Sequence, residues 1–141
     1  MTSAAIDRRT SEDFARLLLR VVLGGLILLH GISKLSNGPT AVVGAVTRFG
    51  LPAEFAYLVY VGEVLAPLLL IVGFVTRAAA LVVAVNMVFA VLLVHVPQIL
   101  TLNKMGGWSL ELQGMYFFTA LAIALLGAGR YSLGGASGRW N

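Results

Sequence analysis

Residues 78–103 contain no Asp, Glu, Lys or Arg, and neither do residues 112–129. Across residues 55–76 Glu63 is the single exception. A further uncharged run, 21–33, follows a polar N-terminal stretch. Crossing a hydrocarbon layer of about 30 Å takes about 20 apolar residues in a helix. Backbone amides in lipid must be satisfied within the segment, so apolar runs of this kind are predicted to be helical. Composition points the same way. Only 11% of the 141 residues are charged and 59% are hydrophobic, against about 25% charged in an average soluble domain. The chain has too few charges to cover a water-facing surface. The sequence therefore predicts an all-α integral membrane four-helix bundle with a short interfacial helix between helices one and two.

Local signals set the expected boundaries. Thr10 and Asp13 form a capping-box pattern, which predicts a loose N-terminal segment 1–10 and a first helix over 11–35. Ser36-Asn37-Gly38-Pro39 then breaks it. Pro39 suits a first helical turn and Gly50 a C-terminal cap, predicting a short helix over 39–49. That length is too short to span, and its valines place it at the interface. Pro52 opens the second spanning helix, 53–75. Thr76 is positioned to cap the third, 77–97, and Ser109 the fourth, 110–129, across a loop at 98–109. Residues 11–130 form the membrane domain, and the Gly- and Ser-rich residues 131–141 read as a flexible tail. Small residues at Gly62 and Ala66, and at Ala120, Ala124 and Ala128, allow close helix packing. No small-x-small cleavage site follows the first apolar run, so it is predicted to be a retained helix.

Charge orients the bundle. Arg8, Arg9, Arg16, Arg20, Arg77, Arg130 and Arg139 lie at the end that carries both termini, and Lys34, Arg48 and Lys104 at the other. The base-rich side faces the cytoplasm, so both termini are expected there. Tyr57, Trp108 and Tyr131 fall near helix ends, where aromatic belts form. The net charge of +4 serves topology rather than nucleic-acid binding. With no cysteine, disulfides, thiolate metal sites and dithiol redox chemistry are excluded for this chain.

Ionisable groups within a span are costly and usually functional. Glu63 lies about ten residues into the second helix, roughly 15 Å at the helical rise. Pro67, four residues on, cannot donate to its carbonyl. His30 and Lys34 are one turn apart on the first helix. The two helices are antiparallel, so Glu63 is expected to face the bundle interior within reach of His30 or Lys34. These three are the candidate catalytic residues. His95, Glu111, Gln113 and Tyr116 are candidate ligand-binding residues at the same end, with Gln98 nearby. Structural readings stand beside these. Glu63 could be an acid paired for packing, Lys34 a snorkelling base, and Glu111 a helix-dipole partner. Arg16 and Arg20 are expected to snorkel, with Glu12 pairing to Arg16. Arg77 is expected to bind helix-end carbonyls, and Asn86 to make an interhelical hydrogen bond.

An ordered set of motifs carries a resemblance. His30-Gly31-x-x-Lys34-Leu35, Gly50-Leu51-Pro52, Glu63 and Gly73-x-x-Thr76-Arg77-x-Ala79-Ala80-Leu81 resemble the DoxX family of four-helix bacterial membrane proteins. Met87, His95, the stretch 107–111 and Tyr131-Ser132-Leu133 continue the likeness, which runs from about residue 17 to 133. The family pattern often closes with an acidic residue where this chain has Gly134. The resemblance implies an inner-membrane bundle associated with quinone-coupled redox systems and oxidative-stress complexes. The favoured expectation is a redox-system subunit that binds a quinone or similar lipophile, with His, Lys and Glu as proton donors. No flavin or iron–sulfur motif is present, so electrons would come from a protein partner or a bound cofactor; a homo-oligomer is the other partner reading. The alternative is a non-enzymatic assembly or small-molecule-binding subunit. Haem held by His30 and His95 is the least favoured reading, and no metal site is expected.

Overall fold

The computed structural model describes the backbone of residues 3–141 and side chains from Arg9 onward. The fold is all-α. Helix α1 runs over Ser3–Asn37, α2 over Thr40–Arg48, α3 over Ala53–Val72, α4 over Thr76–Gln98 and α5 over Glu111–Leu126. By length and composition α1 (from Arg9), α3 and α4 are able to cross a membrane. This is a multi-pass membrane bundle, but among the described residues three helices reach spanning length, not the four expected. Helix α5 has 16 residues, about 24 Å of rise. Gly127 and Gly129, at φ +76° and +74°, end it before the expected residue 129. The core is made by Leu23 and Ile27 of α1, Leu70 of α3, Ala80 and Val83 of α4, and Ile123 of α5. Large side chains such as Leu18, Leu29, Leu68, Val85, Phe118 and Leu125 stay exposed on the outside, as a lipid-facing surface requires.

The short helix between α1 and α3 forms as expected. Gly50, at φ +85°, closes α2. Leu51 N–H reaches back to the Val46 carbonyl and Gly50 N–H to that of Thr47, satisfying the last carbonyls. Ala45 and Val46 turn inward, and α2 packs on the opening turns of α3 and on residues 91–95 of α4. It therefore sits at the end of the bundle away from the termini.

Both α3 and α4 are irregular in the same way. Each widens to a π turn, at Val61–Leu65 and Val91–His95. In each, the residue four before a proline (Pro67, Pro97) is the third of the turn. Proline has no N–H for the carbonyl four residues back, and the wider turn absorbs the mismatch.

Several expected ends are corrected. Helix α1 does not start near Ser11 but continues back to Ser3, so the loose segment expected over 1–10 overlaps a helix; Met1 and Thr2 lie outside the described residues. Asp13 is not a cap. It pairs with Arg16 at 3.3 Å and accepts the Arg130 N–H. Thr76 and Ser109 do not cap α4 and α5, which begin without a side-chain cap of their own. Residues 131–141, read from composition as a flexible tail, lie against the α3–α4 turn. Leu133 and Gly134 donate to the carbonyls of Val72 and Gly73. Asn141 Oδ1 accepts from Thr76 N–H at 3.3 Å and its hydroxyl at 3.0 Å, and Arg77 N–H donates to the Trp140 carbonyl. The tail thus supplies the cap that α4 lacks.

Candidate functional site

Helices α1 and α3 approach closely because α1 presents glycine there. A Cβ at Gly31 would collide with the Glu63 carbonyl, and one at Gly24 would lie 2.9 Å from the Pro67 carbonyl. The two glycines are seven residues apart, hence on one face. Gly25, on another face, has open space. The Glu63 carbonyl, which Pro67 leaves without its usual helical donor, thus rests against the Gly31 backbone.

This contact sets the register of the polar pair. Lys34, three residues beyond Gly31, reaches across to Glu63, and its ammonium forms an ion pair and hydrogen bond with Oε2. Glu63 is 8% exposed, while Lys34 is half-buried. Tyr60, one turn before Glu63, donates its hydroxyl to the Lys34 carbonyl at 3.1 Å. A carboxylate in so dry a place requires a cation, and Lys34 supplies it. The expectation that Glu63 faces the interior beside His30 or Lys34 is met by Lys34.

His30 faces another way. Its ring meets the edge of Tyr116 on α5, with centroids 6.5 Å apart and planes at 70°. One turn earlier on α5, Gln113 donates to His95 Nε2 at 3.3 Å, and His95 Nδ1 lies 3.0 Å from Gln98 Oε1. An amide oxygen only accepts, so this geometry puts the His95 proton on Nδ1 and leaves Nε2 as the acceptor. Glu111 stays exposed at the first turn of α5, its carboxylate against the Gly107 backbone.

The seven expected residues therefore do not converge on one point. Glu63 and Lys34 meet between α3 and α1, His30 meets Tyr116 between α1 and α5, and Gln113 meets His95 between α5 and α4. His30 and Lys34 share α1 at a spacing of four, and Gln113 and Tyr116 share α5 at a spacing of three. The polar contacts thus pass from helix to helix around the bundle. Helices α4 and α5 also flank an apolar cleft of about 270 Å³. Trp108 borders it, its indole N–H on the Ile99 carbonyl at 2.7 Å, and Gln113 is its polar wall.

The other half of the bundle holds a group that sequence reasoning placed in the wrong environment. Arg20 was expected to snorkel, yet it is 0% exposed. It donates to the Leu70 carbonyl at 3.0 Å and the Tyr131 carbonyl at 2.6 Å, and its guanidinium fills the space a side chain at Gly73 would take. That half is not wholly apolar. Arg77 binds the Ala124 and Leu125 carbonyls at the end of α5, at 2.9 and 3.0 Å, as expected. Asn86 was expected to bond across helices; its Nδ2 is buried and has no partner. Among the described residues, no group of three or more His, Asp or Glu could hold a metal ion.

Comparison with known proteins adds a family. The family model described as DoxX matches residues 15–96, which includes Gly24, His30, Gly31, Lys34, Glu63 and Asn86. A Bacillus subtilis (strain 168) protein named "Putative oxidoreductase CatD" is 28% identical over 118 residues, 84% of this chain and 83% of its own length. An uncharacterized protein of Haemophilus influenzae is 33% identical over 78 residues, 55% of this chain and 57% of its own. No solved structure matches.

Proposed function

The chain belongs to the DoxX family, and on that premise we propose that it is an inner-membrane subunit of a redox system that binds a quinone or similar lipophile. The observation that carries this reading is the Lys34–Glu63 pair, held inside apolar helices. Its chemistry suits the task. A quinone oxygen that gains electrons needs a proton, and an ammonium hydrogen-bonded to a carboxylate is a donor with a ready path for replacement. His30 and Tyr116 on the adjoining helices supply further donors, as does Gln113 at the apolar cleft. A relative that carries an oxidoreductase name supports the redox class. The electrons come from a partner protein or a bound cofactor, because these residues move protons only.

In this reading α5 completes a four-helix transmembrane set and both termini lie in the cytoplasm, in accordance with the positive-inside rule. Single cysteines at Ser36 and Asn103 should then react with an impermeant thiol reagent in intact cells, while one at Ser137 should not. The reverse pattern overturns the orientation.

The deciding experiment for function is a titration of the purified protein with decylubiquinone, repeated on Glu63→Gln. Gln keeps the shape of Glu63 and removes its charge. Saturable binding by the native chain, lost at least tenfold in the variant, is the expected result. Equal binding by both removes Glu63 from the site. No saturable binding by either leaves the rival reading, a non-enzymatic assembly subunit. The closure of the Lys34–Glu63 pair on itself is the observation that favours that rival.

A further inference from the structure

The α3–α4 contact contains two polar groups that the proposal above does not use. One is the Asn86 side-chain amide. It packs on the Gly62 backbone so closely that a Cβ there would lie 2.5 Å from its Oδ1 and Cγ. Position 62 must therefore be glycine for the amide to enter. Yet the Nδ2 of that amide is buried with no partner. Leaving an N–H group unsatisfied in an apolar interior is costly, and nothing in the packing demands a polar side chain at that place.

The other group is the Gly62 carbonyl. In a regular helix it would accept from Ala66. Here Ala66 N–H goes to the Val61 carbonyl, five residues back. The next N–H in line would be that of residue 67, which is proline and has none. The π turn and the proline together strip Gly62 of both its four-residue and its five-residue donor. One helix thus offers a buried donor without an acceptor, and the residue it packs against carries a carbonyl that has lost both its regular helical donors. The residue after Gly62 is Glu63.

We propose that Asn86 and the Gly62 carbonyl together form a buried binding site for one neutral hydroxyl-bearing oxygen. Such an oxygen accepts from Asn86 Nδ2 and donates to the Gly62 carbonyl, satisfying both groups at once. The chemistry is that of an internal water or of the hydroxyl of an amphipathic lipophile. A buried water needs two to four polar partners, and these two meet the minimum. A charged ligand does not fit, because neither group carries charge and the surrounding core is aliphatic. Asn86 is then a ligand-positioning residue at the turn that carries Glu63. The inference stands whether or not the chain binds a quinone.

The test reads the amide directly. The chain has four asparagines, Asn37, Asn86, Asn103 and Asn141. Selective side-chain 15N labelling of the full chain in detergent gives four amide pairs, and Asn86→Leu assigns one by its loss. Transfer of magnetisation from water to the Asn86 amide, with slowed hydrogen exchange, identifies the water. A change in that resonance on adding decylubiquinol identifies a ligand hydroxyl instead. Both results support the site. An amide with neither contact overturns it.

Stability gives an independent reading. Leu has the same branching as Asn, so Asn86→Leu removes the polar atoms with little change in shape. Loss of a bound oxygen lowers the melting temperature by about 4 °C. If Nδ2 is simply an unpaired donor, the same substitution raises the melting temperature, and the proposal falls. Should Asn86→Leu fail to fold, Gly62→Ala assigns the amide by displacing it, and the resonance reading decides alone.

Discussion

At the scale of single residues, the polar pair and its glycine set the strongest expectations. Lys34→Met leaves Glu63 in a dry site with no cation. That should cost about 2 kcal/mol, less than the 3–5 typical of a fully buried pair, because Lys34 is half-exposed to its surroundings. Removing both charges, as Lys34→Met with Glu63→Gln, should recover much of the loss, since a buried amide is penalised far less by desolvation than an unpaired charge. Thermal unfolding in one detergent checks both. A double variant no more stable than Lys34→Met would show that the ion pair is not what couples them. Gly31→Ala should destabilise by about 2 kcal/mol or more, because its methyl group meets backbone that cannot swing aside. Gly25→Ala, next to it in open space, should be neutral or stabilising by a few tenths up to about 1 kcal/mol, since alanine favours helix. Equal effects from the two glycines would contradict the close approach of α1 and α3. That Glu63 would meet His30 or Lys34 was legible in the sequence, because antiparallel helices and depth suffice to foresee it, but which of the two it meets was not. The role of Gly31 was also written there, in its spacing of seven from Gly24, but glycine is common in membrane helices and the spacing gains meaning only beside a facing backbone.

At the scale of elements, the π turns and the loop between α4 and α5 matter most. Pro67 advertised a disturbance at Glu63, yet whether a helix kinks, breaks or widens depends on its neighbours. The loop expected over 98–109 is tightly bonded. Leu102 and Trp108 form an antiparallel bridge, Asn103 accepts from the N–H groups of Met105 and Gly107, and the Thr101 hydroxyl donates to that of Ser109. These bonds hold Trp108 against Gly114, where a Cβ would lie 2.7 Å from the indole ring. Gly114→Ala should push the ring outward. In a Trp140→Phe background, which leaves Trp108 as the sole tryptophan, its fluorescence emission should change in wavelength relative to the Gly114 parent. An unchanged spectrum would mean that the ring is not seated on α5.

At the scale of the molecule, the tail and Arg20 tie together what the helices alone do not. Arg20 joins α1 to α3 and to the tail through backbone carbonyls, and Arg77 joins the α3–α4 turn to the end of α5. Composition could not reveal this. Gly- and Ser-rich residues read as a linker, and an arginine near a helix end reads as a snorkelling base. Backbone acceptors leave no mark in a sequence, whereas a carboxylate partner does. Arg20→Lys keeps the charge but offers a single nitrogen to two separate carbonyls, so it should cost about 2 kcal/mol and loosen the tail. Trypsin in detergent should then cut after Arg130 and Arg139 faster than in the native protein. Unchanged cleavage would mean that the tail is held without Arg20.

The borrowed cap on α4 also has a consequence in time. Residues 130–141 are synthesised after every helix of the bundle. Until then the turn between α3 and α4 holds Val75 in a left-handed conformation, at φ +42°, with the Thr76 and Arg77 amides still awaiting Asn141 and Trp140. The turn between α3 and α4 is therefore the last part of this bundle to find its partners, and a chain cut after residue 129 would keep its helices but leave that turn unlatched.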